Sequence, residues 1–287
     1  MKPNIKPFGT FVFSWMHFLI IALLLLVLPG VSYGQILVTP SNMGIWAFGT
    51  EDAAADGPGT GDIAQMVTGP GTPPLGVGSA ELATAPGAGD SAAFISTDAY
   101  DGTKIASLTS LSYSTYVTAN NGQQFPYLKL YVSTDGSDSP ASINSLYFEP
   151  PYQTPTSGNS MLPNQGATTL ATWQTWNALE GGWWDDNGDP GLNPGTGVGS
   201  LATFLALYPN ATIVAGSFSG GLRLTAGFAS PDDTFTTYVD NVTIGTASGT
   251  TTYDFEPGAV PEPSSWALLL GAMGLLAFLR ARRTVVK

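Results

Sequence analysis

Hydrophobic and polar residues alternate along most of the middle of the chain. A period of two is typical of a β-strand that turns one face to a core and the other to solvent. The clearest examples are LTSLSYSTYV, PYLKLYVS, SLYFEP, GLRLTAGF and TFTTYVDNVTIG. Only SLATFLALYPN has helical spacing, with Ser200 as its predicted N-cap and Pro209 as its stop. The pattern therefore predicts an all-β fold with one short helix.

Turn-forming residues separate these strands. The chain has 35 glycines and 22 prolines, and no strand–helix–strand rhythm accompanies them. We therefore expect residues 35–259 to form one antiparallel β-sandwich of the jelly-roll type. Residues 49–90 are rich in Gly, Ala and Pro, and we expect a wrapped loop or a mobile segment there. No internal repeat of fixed period is found, which disfavours solenoids and propellers.

The first hydrophobic segment predicts a signal peptide over residues 1–34. Lysines near the start precede an apolar run at 18–28, and Ser32 and Gly34 supply the small residues that signal peptidase reads. We expect cleavage before Gln35. The alternative is that this hydrophobic helix remains as an uncleaved anchor.

A second hydrophobic segment closes the chain. VPEPS precedes a charge-free run over residues 266–279, and arginines follow at once. A helix of about 14 residues spans about 21 Å, whereas the hydrocarbon core of a bilayer is about 30 Å thick. The arginines favour a cytoplasmic end. The segment therefore predicts transient membrane insertion through a C-terminal hydrophobic helix.

The order of these three elements resembles the PEP-CTERM sorting signal of bacterial exported proteins, here over residues 260–287. The resemblance implies processing by a membrane exosortase in a Gram-negative bacterium. It also implies a final location at the cell surface or outside the cell, in association with exopolysaccharide and biofilm. The residues that carry it are Pro261, Glu262, Pro263, Arg280, Arg282 and Arg283. The alternative is an ordinary C-terminal anchor.

Charge and composition exclude several classes of function. The chain has 21 acidic and 9 basic residues, and only Lys104, Lys129 and Arg223 lie between the two ends. Such a surface repels nucleic acid and anionic lipid, so we expect no nucleic-acid partner. Cysteine is absent, and the single histidine, His17, lies in the predicted signal peptide. Disulfides, Ser-His-Asp or Cys-His catalysis and the usual zinc sites are therefore excluded from the mature chain.

The segment TWQTWNALEGGWWDDNGDPG contains four of the seven tryptophans. An indole can stack on the apolar face of a sugar ring while acids and amides bind the hydroxyl groups. Trp183 and Trp184 are therefore candidate carbohydrate-binding residues. The alternative is that the rings fill the core, which we favour for Trp173 and Trp176 and leave open for the other two.

Calcium is the candidate cofactor, in a structural role. Asp185, Asn187 and Asp189 alternate as oxygen ligands do in calcium loops, although Pro190 stands where an EF-hand needs glycine. The alternative is a solvated turn. Asp240 is a second candidate, because its strand resembles the closing strands of jelly-roll carbohydrate-binding modules and laminin-G-like sandwiches, where an Asp can bind structural calcium.

Three functions remain open. The first is a non-catalytic, exported surface or extracellular-matrix protein. The second is a carbohydrate-binding module that uses the Trp-rich loop. The third is a polysaccharide hydrolase, for which Glu149 and Glu180 are the acids nearest to aromatic clusters. We predict no catalytic residue, and the exposure of residues 173–189 distinguishes the three hypotheses.

Overall fold

The computed structural model describes most of the region between the two hydrophobic segments. The described residues are 34–258 without 53–58, 86–89, 123, 138, 216–220 and 229–234. The predicted signal peptide up to residue 33 and the whole predicted sorting signal lie outside them. Within this part of the chain, no helix is both long and apolar enough to cross a bilayer.

Seven strands form the first sheet. They are β1 (Gly34–Val38), β3 (Ile63–Thr68), β4 (Gly78–Thr84), β6 (Ser110–Ala119), β9 (Gln174–Asn177), β13 (Phe235–Thr246) and β14 (Gly249–Phe255). The strand order is β1-β14-β13-β4-β3, and β6 pairs with both β13 and β9. The long strand β13 therefore joins most of the sheet.

Seven further strands form the second sheet. They are β2 (Ala47–Asp52), β5 (Ser91–Thr97), β7 (Tyr127–Ser133), β8 (Ile143–Phe148), β10 (Trp183–Asp185), β11 (Thr212–Ile213) and β12 (Leu222–Gly227). The order is β10-β8-β7-β12-β5-β2, and β11 pairs with β7.

The hydrophobic core lies between the two sheets. Leu82 and Val239 of the first sheet and Ile95 and Leu224 of the second are fully buried members of one cluster. Burial of such side chains is the main stabilising contribution to a sandwich. The predicted all-β class and the sandwich arrangement are confirmed. The prediction of a purely antiparallel sandwich is wrong, because the edge strand β1 runs parallel to β14. The jelly-roll type stays a prediction.

The expectation of a loop over residues 49–90 is also wrong, because this region contains β3, β4 and most of β2. Strand β4 lies between β3 and β13, and its Ser79 and Ala80 are fully buried. Small side chains let a central strand pack closely on both faces. They also give the segment the composition of a loop, which explains the error.

The predicted helix is present as α1 (Leu201–Leu207). The Ser200 Oγ accepts a hydrogen bond from the Thr203 backbone N–H at 3.2 Å, which satisfies a free donor of the first turn. Leu201 and Phe204 are buried on its inner face. Short 3-10 turns occur at Ile105–Ser107, Pro140–Ser142 and Pro150–Tyr152.

Candidate functional site

The outer face of the second sheet carries a row of large polar and aromatic side chains. Trp184 is paired in register with Tyr147, Tyr147 with Lys129, and Lys129 with Arg223. Strand residues alternate between faces. The period of two that buries Leu128 and its neighbours in the core therefore places this row on the opposite side.

A cavity of about 360 Å³ lies over this row. The four residues of the row line it together with Glu51, Gln124, Phe125, Tyr127, Glu149, Gly227 and Phe228. A volume of this size suits a small ligand or one to two sugar units. The lining mixes aromatic rings with hydrogen-bonding groups. We therefore take this cavity as the candidate site.

Arg223 forms the rigid floor of the cavity. Its side chain is almost wholly buried, with 2% exposed. Its two terminal nitrogens donate to the two carboxylate oxygens of Glu51 at 2.8 and 2.7 Å, and its Nε donates to Thr225 Oγ1 at 2.9 Å. Its guanidinium carbon lies 3.7 Å from the ring centre of Phe94. A bidentate pair with this support fixes both side chains and neutralises both charges.

The aromatic wall is built by neighbouring strands. Trp184 stacks on Tyr147 with ring centres 4.1 Å apart and an interplanar angle of 11°. The ring centres of Tyr127 and Tyr147 are 6.0 Å apart. The Lys129 Nζ lies 4.2 Å from the ring centre of Tyr131 and 5.0 Å from that of Tyr147. Rings that hold one another in this way are preorganised for a ligand.

Glu149 brings a carboxyl group with an unusual proton affinity. Burial raises its pKa to about 7, although the hydrogen bond from Trp184 opposes the shift. That bond joins Trp184 Nε1 to Glu149 Oε1 at 3.2 Å. Near neutral pH this carboxyl therefore exchanges between a form that only accepts hydrogen bonds and one that also donates.

Gln124 supplies a free acceptor. Its Nε2 donates to the backbone oxygen of Phe228 at 3.0 Å. Its Oε1 is buried and has no hydrogen-bond partner among the described residues. Phe228 adopts a left-handed φ of 53°, a strained conformation for a residue with a side chain.

A second cavity of about 560 Å³ lies next to the first, since Gln124 and Glu149 line both. Its other wall includes Tyr152, Thr154 and Ser157. We call these two neighbouring cavities together the sheet cleft. Two neighbouring cavities offer room for more than one unit of a chain-like ligand.

The predicted tryptophan pair is divided between the two faces of β10. Trp183 has no exposed surface, and its Nε1 donates to the backbone oxygen of Ala178 at 2.8 Å. A platform made of both rings is therefore wrong, because consecutive residues of a strand point to opposite faces. Only Trp184 reaches the cleft. Trp176 is buried, in line with the core alternative.

The calcium motif forms a closed loop. Asp185 is buried, and its carboxylate accepts from the Asp189 backbone N–H and from Asn144 Nδ2, both at 3.0 Å. Asp189 Oδ2 accepts from the Tyr208 hydroxyl at 2.8 Å. Asn187 is exposed between them. Donor groups of the protein thus already bind the carboxylates of Asp185 and Asp189. Calcium at this motif stays a prediction.

Asp240 lies in the first sheet, apart from this loop in the second sheet. It is fully buried, and its two oxygens accept from the backbone N–H groups of Phe255 at 3.2 Å and Leu75 at 3.0 Å. Burial raises its pKa to about 7. In the described ranges, no three acidic or histidine side chains are grouped as a metal site.

Sequence reasoning identified Trp184 and Glu149 but missed most of the sheet cleft. Lys129, Tyr147 and Arg223 lie in three segments whose alternation was recognised. The signal was therefore present as the outward positions of strands. The sequence alone does not show that these positions form one site, because that depends on which strands pair, and strand pairing is a long-range property.

The comparison with family models concerns the C-terminus. No curated protein is significantly similar to the chain. The family model described as the PEP-CTERM protein-sorting motif matches residues 259–283, which lie outside the described residues. This confirms the resemblance seen in the sequence. The chain thus carries a PEP-CTERM protein-sorting motif, which implies an exported protein that is processed by an exosortase.

Proposed function

We propose that this exported protein binds a polysaccharide chain in the sheet cleft and does not cleave it. The observation that carries the proposal is the cavity on the outer face of the second sheet, where aromatic rings and free hydrogen-bonding groups line one space. This function joins the first two alternatives of the sequence analysis. The sorting motif directs the export of the protein, and the sheet cleft is its ligand-binding site.

A sugar matches both parts of the lining. The C–H faces of a pyranose pack against rings such as Trp184 and Tyr127, and its hydroxyls both donate and accept. Glu149 can take either role, because burial raises its pKa to about 7. Two of the three basic residues of this region, Lys129 and Arg223, also line the cavity. The presence of two neighbouring cavities favours several linked sugars over one.

Binding is favoured over hydrolysis because the second carboxylate is occupied. A glycosidase needs one protonated acid and one free carboxylate flanking the bond. Glu149 fits the first role, but both oxygens of Glu51 accept hydrogen bonds from Arg223. A carboxylate held in this way is a poor nucleophile or base. Glu180, the other acid named from the sequence, is exposed and does not line the cavity.

The wider setting forms part of the same proposal. The protein lies at the cell surface or in the extracellular matrix of a Gram-negative bacterium after transient insertion through residues 266–279. Its ligand there is the exopolysaccharide of the biofilm. Support comes from the sorting motif and from the acidic mature chain, which suits neutral partners better than nucleic acid.

Retention on polysaccharides tests the proposal. The full chain in mild detergent is run by affinity electrophoresis through β-glucan, xylan, alginate and the exopolysaccharide of its host. We expect retardation by at least one of them, and we expect Trp184→Ala to abolish it. Trp173→Ala is the matched control, because Trp173 is also half-buried against a tyrosine but lies on the first sheet.

Two results would contradict the proposal. The first is free migration of the wild-type chain in all four polysaccharides. The second is equal loss of retardation in the two tryptophan variants, which would place the ligand elsewhere. Release of reducing ends from a retained polysaccharide would instead favour the hydrolase alternative.

A further inference from the structure

Two acidic side chains are buried together at the end of the first sheet. Asp254 is the penultimate residue of β14, and Glu256 follows the strand by one residue. Their spacing of two places them on the same side of the chain. Asp254 is 3% exposed and Glu256 is 0% exposed. Ionised carboxylates are expensive to bury in this way unless something compensates their charge.

Protein hydrogen bonds reach only one oxygen of each carboxylate in this pair. Asp254 Oδ2 accepts from Gln35 Nε2 at 2.8 Å. Glu256 Oε1 accepts from the backbone N–H groups of Val77 at 2.6 Å and Gly78 at 3.1 Å. The other two oxygens, Asp254 Oδ1 and Glu256 Oε2, are buried and accept from no donor group in the described part of the chain. The two carboxyl groups are close enough to interact directly with each other.

In the described part of the chain, no basic side chain is paired with these carboxylates. Arg223 pairs with Glu51 in the second sheet. Lys129 lies over tyrosine rings of that same sheet, and Lys104 is exposed. Asp240 lies near the pair, because the charge of Asp254 helps to raise the pKa of Asp240 and the Asp240 Oδ2 accepts from the backbone N–H of the loop residue Leu75.

The loop that covers the pair is shaped to their oxygens. Gly76 has a φ of 54°, and a Cβ at this position would collide with Glu256 Oε1 and lie 3.2 Å from Asp254 Oδ1. Glycine is thus the only residue type that fits at position 76 without displacing the carboxylates.

From these observations we infer that Asp254 and Glu256 form a calcium site, closed by the loop at residues 75–78. Ca²⁺ prefers six to eight oxygen ligands and tolerates irregular geometry. The two free carboxylate oxygens supply the charged ligands. Backbone carbonyls, the Gln35 amide oxygen and water can supply the rest, since no third acidic side chain is grouped with them in the described residues. Both oxygens of Asp240 accept hydrogen bonds from backbone N–H groups, so we assign Asp240 to positioning the loop at residues 75–78 and not to binding the ion.

This inference is independent of polysaccharide binding, and calcium titration tests it. The full chain in mild detergent is stripped with chelator and dialysed against Ca²⁺ or Mg²⁺. Bound metal and melting temperature are then measured. We expect one tightly bound Ca²⁺ per chain, a higher melting temperature and a smaller effect of Mg²⁺, because a ligand of the native state stabilises it by mass action.

Two conservative variants locate the site. Glu256→Gln and Asp254→Asn preserve shape and the existing acceptors, and each should weaken Ca²⁺ binding by at least about tenfold. Asp185→Asn is the matched control, because it alters a buried aspartate of the other candidate loop, and it should bind as the wild type does.

Two outcomes overturn the inference. One is a wild-type chain that binds no Ca²⁺ and melts at the same temperature in calcium and in chelator. The other is loss of binding in Asp185→Asn with unchanged binding in Glu256→Gln. Because the wild-type measurement needs no variant, poor folding of a variant does not remove the test.

Discussion

Glu149 is the residue whose charge state most directly couples the sheet cleft to pH. Its ordinary pKa is 4.5, and burial raises the pKa to about 7 in the folded chain. The folded state therefore binds this proton more tightly than the unfolded state does. The stability that Glu149 contributes is present below about pH 4.5 and is lost as pH rises to about 7.

Glu149→Gln should remove this pH dependence. Above pH 7 the variant should be more stable than the wild type, by an amount on the order of 3 kcal/mol at most, and the gap should close below about pH 5. Urea unfolding at pH 5 and pH 8 measures the difference. A constant gap at both pH values would show that the carboxyl is not titrating there.

Arg223 tests the rigidity of the cavity floor. Glu51→Gln leaves the Arg223 cation buried without its counter-ion, since only 2% of the Arg223 side chain is exposed, so we expect a loss of about 3 to 5 kcal/mol in the free energy of unfolding. Arg223→Met should cost less, because the charge left behind is that of Glu51, whose side chain is 29% exposed and can be solvated by water. Chemical denaturation of the two variants checks this order, and equal losses would argue against it.

At the scale of the element, strand β10 places its two tryptophans in opposite environments. Trp183→Ala deletes a fully buried ring and should destabilise the fold by about 3 to 5 kcal/mol. Trp184→Ala deletes a half-buried ring stacked on Tyr147 and should cost about 1 kcal/mol. Thermal unfolding gives both numbers. If the larger loss belonged to Trp184, our assignment of the two faces would be reversed.

The strands also show how far the sequence predicts this fold. Alternation correctly predicted β6, β7, β8, β12 and β13, because their inward residues are large and apolar. It failed for β3 and β4, where small residues such as Ala80 fill a crowded sheet. The calcium site was missed for a different reason. Asp254 and Glu256 are two acids in a polar-looking sequence, and only the fold buries them beneath residues 75–78.

At the scale of the whole molecule, export should leave neither hydrophobic end on the mature chain. We expect intact-mass spectrometry of protein from its host to show a chain that begins at Gln35 and ends before residue 266. Each segment resembles a signal that is removed after use. Mature chains that still contain residues 266–279 would contradict exosortase processing and favour a permanent anchor.

The central claim is that the exported protein binds a polysaccharide along the sheet cleft. It is tested most directly by titrating the chain with fragments of the host exopolysaccharide of increasing length and measuring Kd by calorimetry. Since two cavities meet at Glu149 and Gln124, affinity should rise with length until both are filled and then level off. Trp184→Ala should weaken binding of every fragment by about tenfold or more. Absence of binding at every length, or a Trp184→Ala chain that binds as tightly as the wild type, would contradict the claim.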